Sequence, residues 1–251
     1  SDLPMPNLFG VHFPNGALRD RSLYELGASN CTLLHPQLVY LPEIVARFDG
    51  IVLVRFYLTE WTRRDPRQWA QECAAIWDSN YLLRSCQRVH FTPANEQNLA
   101  GEAFGDWFDS AKQLACETPE HYRRIDSWNL AWAEEFRRLT GCPKERLHWP
   151  ALAYGHSDDL PDRGFVGLEL CRASIARYGV LDVHPYWEVG RQDTYPDGQV
   201  VDSVVSRYHG HRFRLVHELF PEQTLFLSEA GNFAVADPRT PAEIVRHSLS
   251  L

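Results

Sequence analysis

The sequence predicts an α/β protein of the (β/α)8, or TIM-barrel, class, with the eighth strand missing from the chain. Three observations predict it. Short apolar runs alternate with helical stretches seven times over, which argues for a parallel sheet built from right-handed crossovers. The clearest run, residues 51–58 (Ile-Val-Leu-Val-Arg-Phe-Tyr-Leu), is almost continuously apolar, as expected of a strand covered on both faces. No Gly-rich phosphate fingerprint follows the first run, where Val11-His12-Phe13-Pro14-Asn15-Gly16 stands, so an open dinucleotide-binding sheet fits less well.

Taken in order, residues 8–13 read as strand one, closed by the turn Pro14-Asn15-Gly16. A first helix is expected over 20–26, then strand two over 31–34, ending at His35-Pro36. A short helix over 42–48 stops at Asp49-Gly50, and strand three follows. Asp65-Pro66 opens a helix through about residue 77, with the proline in the first turn, where its missing N–H costs nothing. Strand four covers 89–92, and helices are expected over 107–114 and 119–139. The longer one carries Ile125, Trp128, Leu130, Trp132 and Phe136 and closes at Thr140-Gly141.

Strand five, 147–154, ends at Gly155-His156, and a helix over 164–178 ends at Gly179. Strand six, 180–183, runs into His184-Pro185-Tyr186-Trp187. A helix is expected over 201–219, then strand seven over 224–227, leading to Ser228-Glu229-Ala230-Gly231; Thr240-Pro241 starts one more helix. Nothing in the composition marks a linker, so residues 1–251 read as a single domain, incomplete at its C-terminal end. The alternative is a truncated sheet whose open edge a partner covers.

At 44% hydrophobic and 23% charged, the 251 residues have ample material for a core. A net charge of −8 without a basic run argues against nucleic acid as a partner. No stretch approaches the ~20 apolar residues of a membrane span. The N-terminal Ser-Asp-Leu-Pro-Met-Pro shows no signal peptide, and the composition suits a secreted or a cytoplasmic protein alike. The six cysteines include no C-x-x-C pair, so metal spacing is missing and most read as small core residues, although Cys73 and Cys86 are spaced to permit a bridge. No metal or other cofactor is expected.

In a barrel, chemistry sits at the C-terminal ends of the strands. Polar residues gather there: His12 after strand one, His35 after two, Arg55 and Tyr57 in three, Asn95 and Glu96 after four, His156 after five, His184 and Tyr186 after six, and Glu229 after seven. A lone Glu96 also reads as a solvated loop residue, since a buried carboxylate without partners is costly. A second carboxylate, Glu229, at another strand end turns the reading toward catalysis.

Asn95-Glu96 after strand four, Glu229 after strand seven and His184-Pro185-Tyr186 after strand six resemble clan A of the glycoside hydrolases, the retaining (β/α)8 glycosidases. The resemblance covers nearly the whole chain in strand order. It implies Glu229 as nucleophile and Glu96 as acid/base, with Asn95 on the sugar 2-hydroxyl, Tyr186 holding Glu229 and His184 lining the same subsite. The carbohydrate substrate would lie between two carboxylates about 5–5.5 Å apart. Gln97 follows Glu96 where the family often has Pro. His35-Pro36 stands where clan members usually carry an Arg that supports the nucleophile, so that role passes to Arg55 in strand three.

Sugar rings present apolar C–H faces on which aromatic side chains stack, and Trp187, Trp61 and Tyr154 are placed for this after strands six, three and five. Trp69, Trp77, Trp128 and Trp132 in helices, and Trp149 within strand five, read as packing. Two other functions compete: a catalytically silent barrel that binds glycans or serves as a structural domain of a larger protein, and a metal-dependent hydrolase using His12, His35, His156 and His184. The latter class usually has His-x-His after strand one, which is missing here; His209-Gly210-His211 has the spacing but is expected on a surface.

Overall fold

Seven parallel strands stand side by side in chain order in the computed structural model, which describes residues 10–12, 29–99, 118–161, 163–188 and 190–232. The first sheet runs β1 (Gly10–His12), β2 (Asn30–Leu34), β3 (Val52–Arg55) and β4 (Val89–Thr92). β5 (His148–Trp149) and β6 (Val180–Val183) follow, then two short pieces outside the main sheet, β7 (Tyr186–Trp187) and the β8 (Gln192–Thr194)–β9 (Val200–Asp202) hairpin, and then β10 (Thr224–Leu227). β10 pairs with β6, and β6 with β5. A parallel bridge from Phe91 to Leu147 joins β4 to the start of β5 and makes one series of the two sheets. β11 (Gly231–Asn232) pairs with β7 and prolongs the β6–β10 ladder toward the strand ends. Among the described residues β1 and β10 each have one neighbour, and no eighth strand joins them.

Where each strand stops follows from its sequence. All four residues of β3 are buried, yet it pairs as a strand only to Arg55, short of the expected residue 58. Beyond it Phe56 N–H still donates to Thr92 O (3.0 Å), but Tyr57 N–H turns to the ring nitrogen Nδ1 of His35 (2.7 Å). β4 ends before Pro93 and β5 before Pro150, each lacking the N–H that would extend the ladder. That is why strand five is two residues long rather than eight.

Helices α1 (Leu41–Arg47), α2 (Pro66–Ser79), α3 (Tyr81–Ser85), α4 (Pro119–Thr140), α5 (Arg172–Ile175) and α6 (Arg212–Leu219) are the α-helices of the described residues. Asp65 caps α2 by accepting from Gln68 N–H (2.9 Å), and Gly141 (φ 69°) closes α4 in the left-handed conformation that glycine favours. α2 and α4 pack on each other and on the outer faces of β3 and β4 through Trp77, Phe91, Trp132 and Phe136, with ring centroids 4.7–6.1 Å apart. Truncating one of these buried rings to Ala is expected to cost about 3–5 kcal/mol. At the base, buried Arg146 donates to Val89 O, Leu83 O and Cys86 O, tying β4 and α3 to the entry of β5.

Two expected helices are corrected. Over 164–178 the chain forms a 3-10 turn, Gly167–Cys171, before the single-turn α5, because Gly167 N–H and Leu168 N–H donate to His156 O and Ser157 O instead of helical carbonyls. A Cβ at Gly167 would lie 2.5 Å from the Tyr122 ring, so this close approach requires glycine. Over 201–219 the first part is β9 and turns, and α6 begins at Arg212. Asp197-Gly198 makes the hairpin turn, with Gly198 at φ 86° and Asp197 accepting from Gln199 N–H. The helices expected over 20–26, over 107–114 and from residue 240 lie outside the described residues. Cys73 and Cys86 are free thiols, so the bridge their spacing permits is not formed. No described helix is long and apolar enough to cross a membrane.

Candidate active site

Successive residues of a strand face opposite ways, so alternate positions share the face of the sheet turned away from the helices. Two polar layers result. In the lower one His90 of β4, His148 of β5 and Asp182 of β6 form a hydrogen-bonded row, Nδ1 of His90 to Nε2 of His148 at 2.8 Å and Nδ1 of His148 to Asp182 Oδ1 at 2.6 Å. Phe226 of β10 closes on His148 at 5.0 Å. Burial, then the neighbouring His148 and Arg146, push the His90 pKa down to about 3, which keeps this ring neutral.

Two residues further along the strands lies the upper layer. Arg55, His184 and Ser228 occupy it, and the two glutamates meet there. The Arg55 guanidinium is hydrogen-bonded to Glu229 Oε1, and the Tyr186 hydroxyl donates to Glu229 Oε2 at 2.7 Å. His184 Nδ1 stands 2.9 Å from Glu96 Oε1 and 3.9 Å from Glu229 Oε2. Its Nε2 lies 3.0 Å from Ser228 Oγ and 3.4 Å from an Arg55 nitrogen. Arginine can only donate, so Nε2 accepts and the ring proton sits on Nδ1, aimed at Glu96. Burial, and then the charge of Glu229, raise the Tyr186 pKa, so the phenol stays protonated and remains a donor. The Glu96 and Glu229 side chains are 15% and 14% exposed while His184 and Arg55 are 1% and 6% exposed, which leaves the carboxylates open to an entering ligand and these two supports covered.

Glu96 is held from its own loop. Its φ of 31° lies in the left-handed region, uncommon for a residue with a side chain. The next two residues lock that conformation. Trp61 Nε1 donates to Gln97 O (2.8 Å), Asn129 Nδ2 of α4 donates to Gln97 Oε1 (2.6 Å), and the Asn98 amide both donates to Ala153 O (2.8 Å) and accepts from Ala153 N–H (2.9 Å). Gln97 and Asn98 are fully buried.

The structure therefore brings together Glu96, Glu229, Arg55, His184 and Tyr186. Asn95 is half-buried beside Glu96, and Trp187 is half-buried on β7. His12 ends β1, and its side chain lies outside the described residues. Of three other expected ligand-facing residues, Trp61 and His156 are buried and His35 is half-buried. Trp61 is 1% exposed and braces the Glu96 loop rather than stacking on a sugar. His35 braces Tyr57 N–H and packs against Phe56 and Trp69. His156 is buried against Phe165, with Nε2 2.7 Å from Arg163.

Tyr154, another expected stacking ring, is packed against His209 (4.6 Å) with Arg191 over it (5.7 Å). His209 and His211 are buried rather than at the surface, and His209 Nδ1 pairs with Asp193 at 2.5 Å. Among the described residues no group of three or more His, Cys, Asp or Glu side chains is arranged to hold a metal ion. Sequence reasoning missed Ser228, Gln97 and Asn129 as supports. Asn129 carried a signal, a polar residue on the apolar face of α4 between Ile125 and Trp132.

No protein-family model matches the chain, and no curated protein matches it. Solved structures do. A trimodular endoglucanase of the GH5_4 subfamily aligns over 90% of this chain and 48% of its own, with a TM-score of 0.55 and 14% identity. A glycoside hydrolase family 5 enzyme from Prevotella bryantii aligns over 90% of this chain and 70% of its own, with a TM-score of 0.52 and 12% identity. An endo-β-mannanase/endo-β-glucanase from the same organism aligns over 88% of this chain and 34% of its own, with a TM-score of 0.52 and 12% identity. The chain spans about half the length of the trimodular endoglucanase. At such identities the likeness is one of fold: a parallel α/β architecture similar to the TIM barrels of glycoside hydrolase family 5, a clan A family.

Proposed function

We propose that the protein is a retaining glycoside hydrolase that cleaves an oligo- or polysaccharide with Glu229 as nucleophile and Glu96 as acid/base. The observation that carries the reading is the unequal support of two carboxylates around one imidazole. Glu229 receives Arg55 and Tyr186, two donors that favour its ionised form. Glu96 receives the His184 Nδ1 proton on Oε1, leaving Oε2 to carry the proton a leaving group needs. Both carboxylates lie against the same imidazole nitrogen, at 2.9 and 3.9 Å, an arrangement compatible with the ~5–5.5 Å separation of retaining enzymes.

In the first step a Glu229 oxygen bonds to the anomeric carbon as the glycosidic C–O bond breaks, and Glu96 gives its proton to the departing oxygen. In the second, Glu96 takes a proton from water, whose oxygen displaces Glu229 and restores both groups. Asn95, next to Glu96 at the mouth, would hydrogen-bond the sugar 2-hydroxyl as positive charge develops on the ring. The fold neighbours are named as β-glucan and β-mannan enzymes, so those polymers and aryl β-glycosides are the first substrates to try.

Hydrolysis of aryl β-glycosides should fall by about 10²–10⁴-fold in Glu96→Ala, with at least as large a loss in Glu229→Ala. NMR of the nascent sugar should show retained anomeric configuration. Turnover that survives both substitutions, or inverted product, would sink the mechanism. Saccharide binding without turnover would favour the silent glycan-binding barrel.

A further inference from the structure

Beyond β3 the chain builds a cavity of about 350 Å³ lined by Tyr57, Thr59, Glu60, Arg63, Arg64 and Trp69. None of these carries a role in the chemistry above. Tyr57 is 52% exposed, a large ring offered to solvent, while Trp69 forms the floor with its Nε1–H spent on Pro93 O (3.0 Å). The loop is rigidly built. Arg63 N–H donates to Glu60 O, Arg64 N–H to Trp61 O, and Trp128 Nε1 to Arg64 O. Glu60 is held at φ 53°, again in the left-handed region.

The segment that lines the cavity also carries, or adjoins in the chain, supports of both carboxylates. Tyr57 lies two residues past Arg55, about 7 Å along an extended chain, and Arg55 holds Glu229. Trp61, in the same loop, donates to the residue after Glu96. The lining shares no residue with the carboxylate site, so a ligand unit seated here would be a different unit from the one between the glutamates.

Its lining selects the ligand class. Arg64 is paired with Glu72 at 2.5 Å and lies over the Trp69 ring, and Arg63 stands 3.7 Å from Glu60. An anion would have to compete with Glu60 and Glu72 for these guanidinium groups. An apolar ligand would strip water from four charges without replacing its hydrogen bonds. Paired donors and acceptors beside an exposed aromatic ring instead match the adjacent hydroxyls and apolar C–H face of a neutral sugar.

We propose that this cavity is a distal subsite for a neutral hexose unit, so that the substrate is a chain long enough to fill it and the cleavage site together. The proposal rests on the reading of Glu96 and Glu229 as the catalytic pair. Calorimetry with the Glu229→Gln variant tests it, using cellohexaose and cellobiose, mannohexaose and mannobiose, and hexagalacturonate. A neutral hexamer should bind at least about 10-fold more tightly than its dimer, and Tyr57→Ala in the same background should remove that difference while Tyr57→Phe keeps it.

A hexamer advantage unchanged in Tyr57→Ala overturns the subsite, as does failure of every probe to bind. Preferential binding of hexagalacturonate, lost in Arg63→Ala, overturns the neutral ligand. If the Tyr57-dependent advantage is found but the unsubstituted protein hydrolyses none of the neutral probes, the subsite stands and the hydrolase reading falls. If those probes are hydrolysed without a Tyr57-dependent advantage, the hydrolase reading stands and the subsite falls.

Discussion

Glu96 and Glu229 reach the same imidazole from opposite kinds of support. Glu96 is set by its backbone: buried Gln97 and Asn98 are fastened to Trp61, Asn129 and Ala153, and the carboxylate is held beyond them at a left-handed residue. Glu229 follows β10, which is half-exposed and has one described neighbour, and its carboxylate is gripped by side chains from elsewhere. Arg55 comes from 174 positions earlier in the chain and Tyr186 from 43. One acid is placed by a rigid loop and the other by an ion pair across the sheet. The second arrangement acts on charge as well as position, as the role of nucleophile proposed for Glu229 requires.

Substitutions can break this contrast in graded steps. Among the residues that support the two glutamates, Arg55→Ala should have the largest effect, about 10²–10³-fold in kcat, because it leaves Glu229 without its cation. Stopped assays on an aryl glycoside measure it, and a loss no larger than that of Tyr186→Phe would show that Arg55 only fills space. Tyr186→Phe removes one hydrogen bond to a charged group, about 1.5–3 kcal/mol, so a loss of roughly 10–100-fold is expected.

On the other side, Gln97→Ala should lower kcat by only several-fold, because the catalytic groups remain. It should destabilise the fold by about 1–3 kcal/mol, because one N–H of the buried Asn129 amide loses its acceptor while the other keeps Ile125 O. Urea unfolding tests this, and the paired change Gln97→Leu with Asn129→Leu should recover most of the stability but not the activity.

The smallest effect on catalysis lies in the layer beneath both acids, where the change is read in stability instead. His90 stays neutral in the folded protein down to about pH 3, whereas the unfolded chain protonates it near 6.5. The unfolded state therefore binds more protons between those values, and stability falls as pH drops from about 6.5 toward 3, by at most ~1.4 kcal/mol per unit from this group. It is fully present above 6.5. His90→Gln should flatten this part of the urea-midpoint profile, and an unchanged slope would assign the acid sensitivity to other groups.

Much of the site was legible because its members mark strand ends. Glu96 and Glu229 stand where an apolar run turns polar, and His184-Pro185-Tyr186 breaks β6 with a residue that cannot extend a ladder. Trp61 was misjudged because position after a strand does not say which way a ring points. It turned inward, where Gln97 O takes its N–H. His35 and His156 also lie at strand ends, but each is drawn to a neighbouring donor rather than to the carboxylates. The helix expected over 201–219 overlooked Asp197-Gly198, a hairpin signal that was present in the sequence.

The sequence by itself determined the alternation of strands and helices, the proline stops, the buried face of α4 and the two glutamates, since each is written in neighbouring residues through the periods of helix and strand. Only the tertiary structure decided that Arg55 supplies the cation for Glu229 and that His184 serves both acids. It also decided that Trp61 and Gln97 belong to the scaffold of Glu96. Those meetings depend on strand order and register between segments far apart in the chain, which no local pattern records.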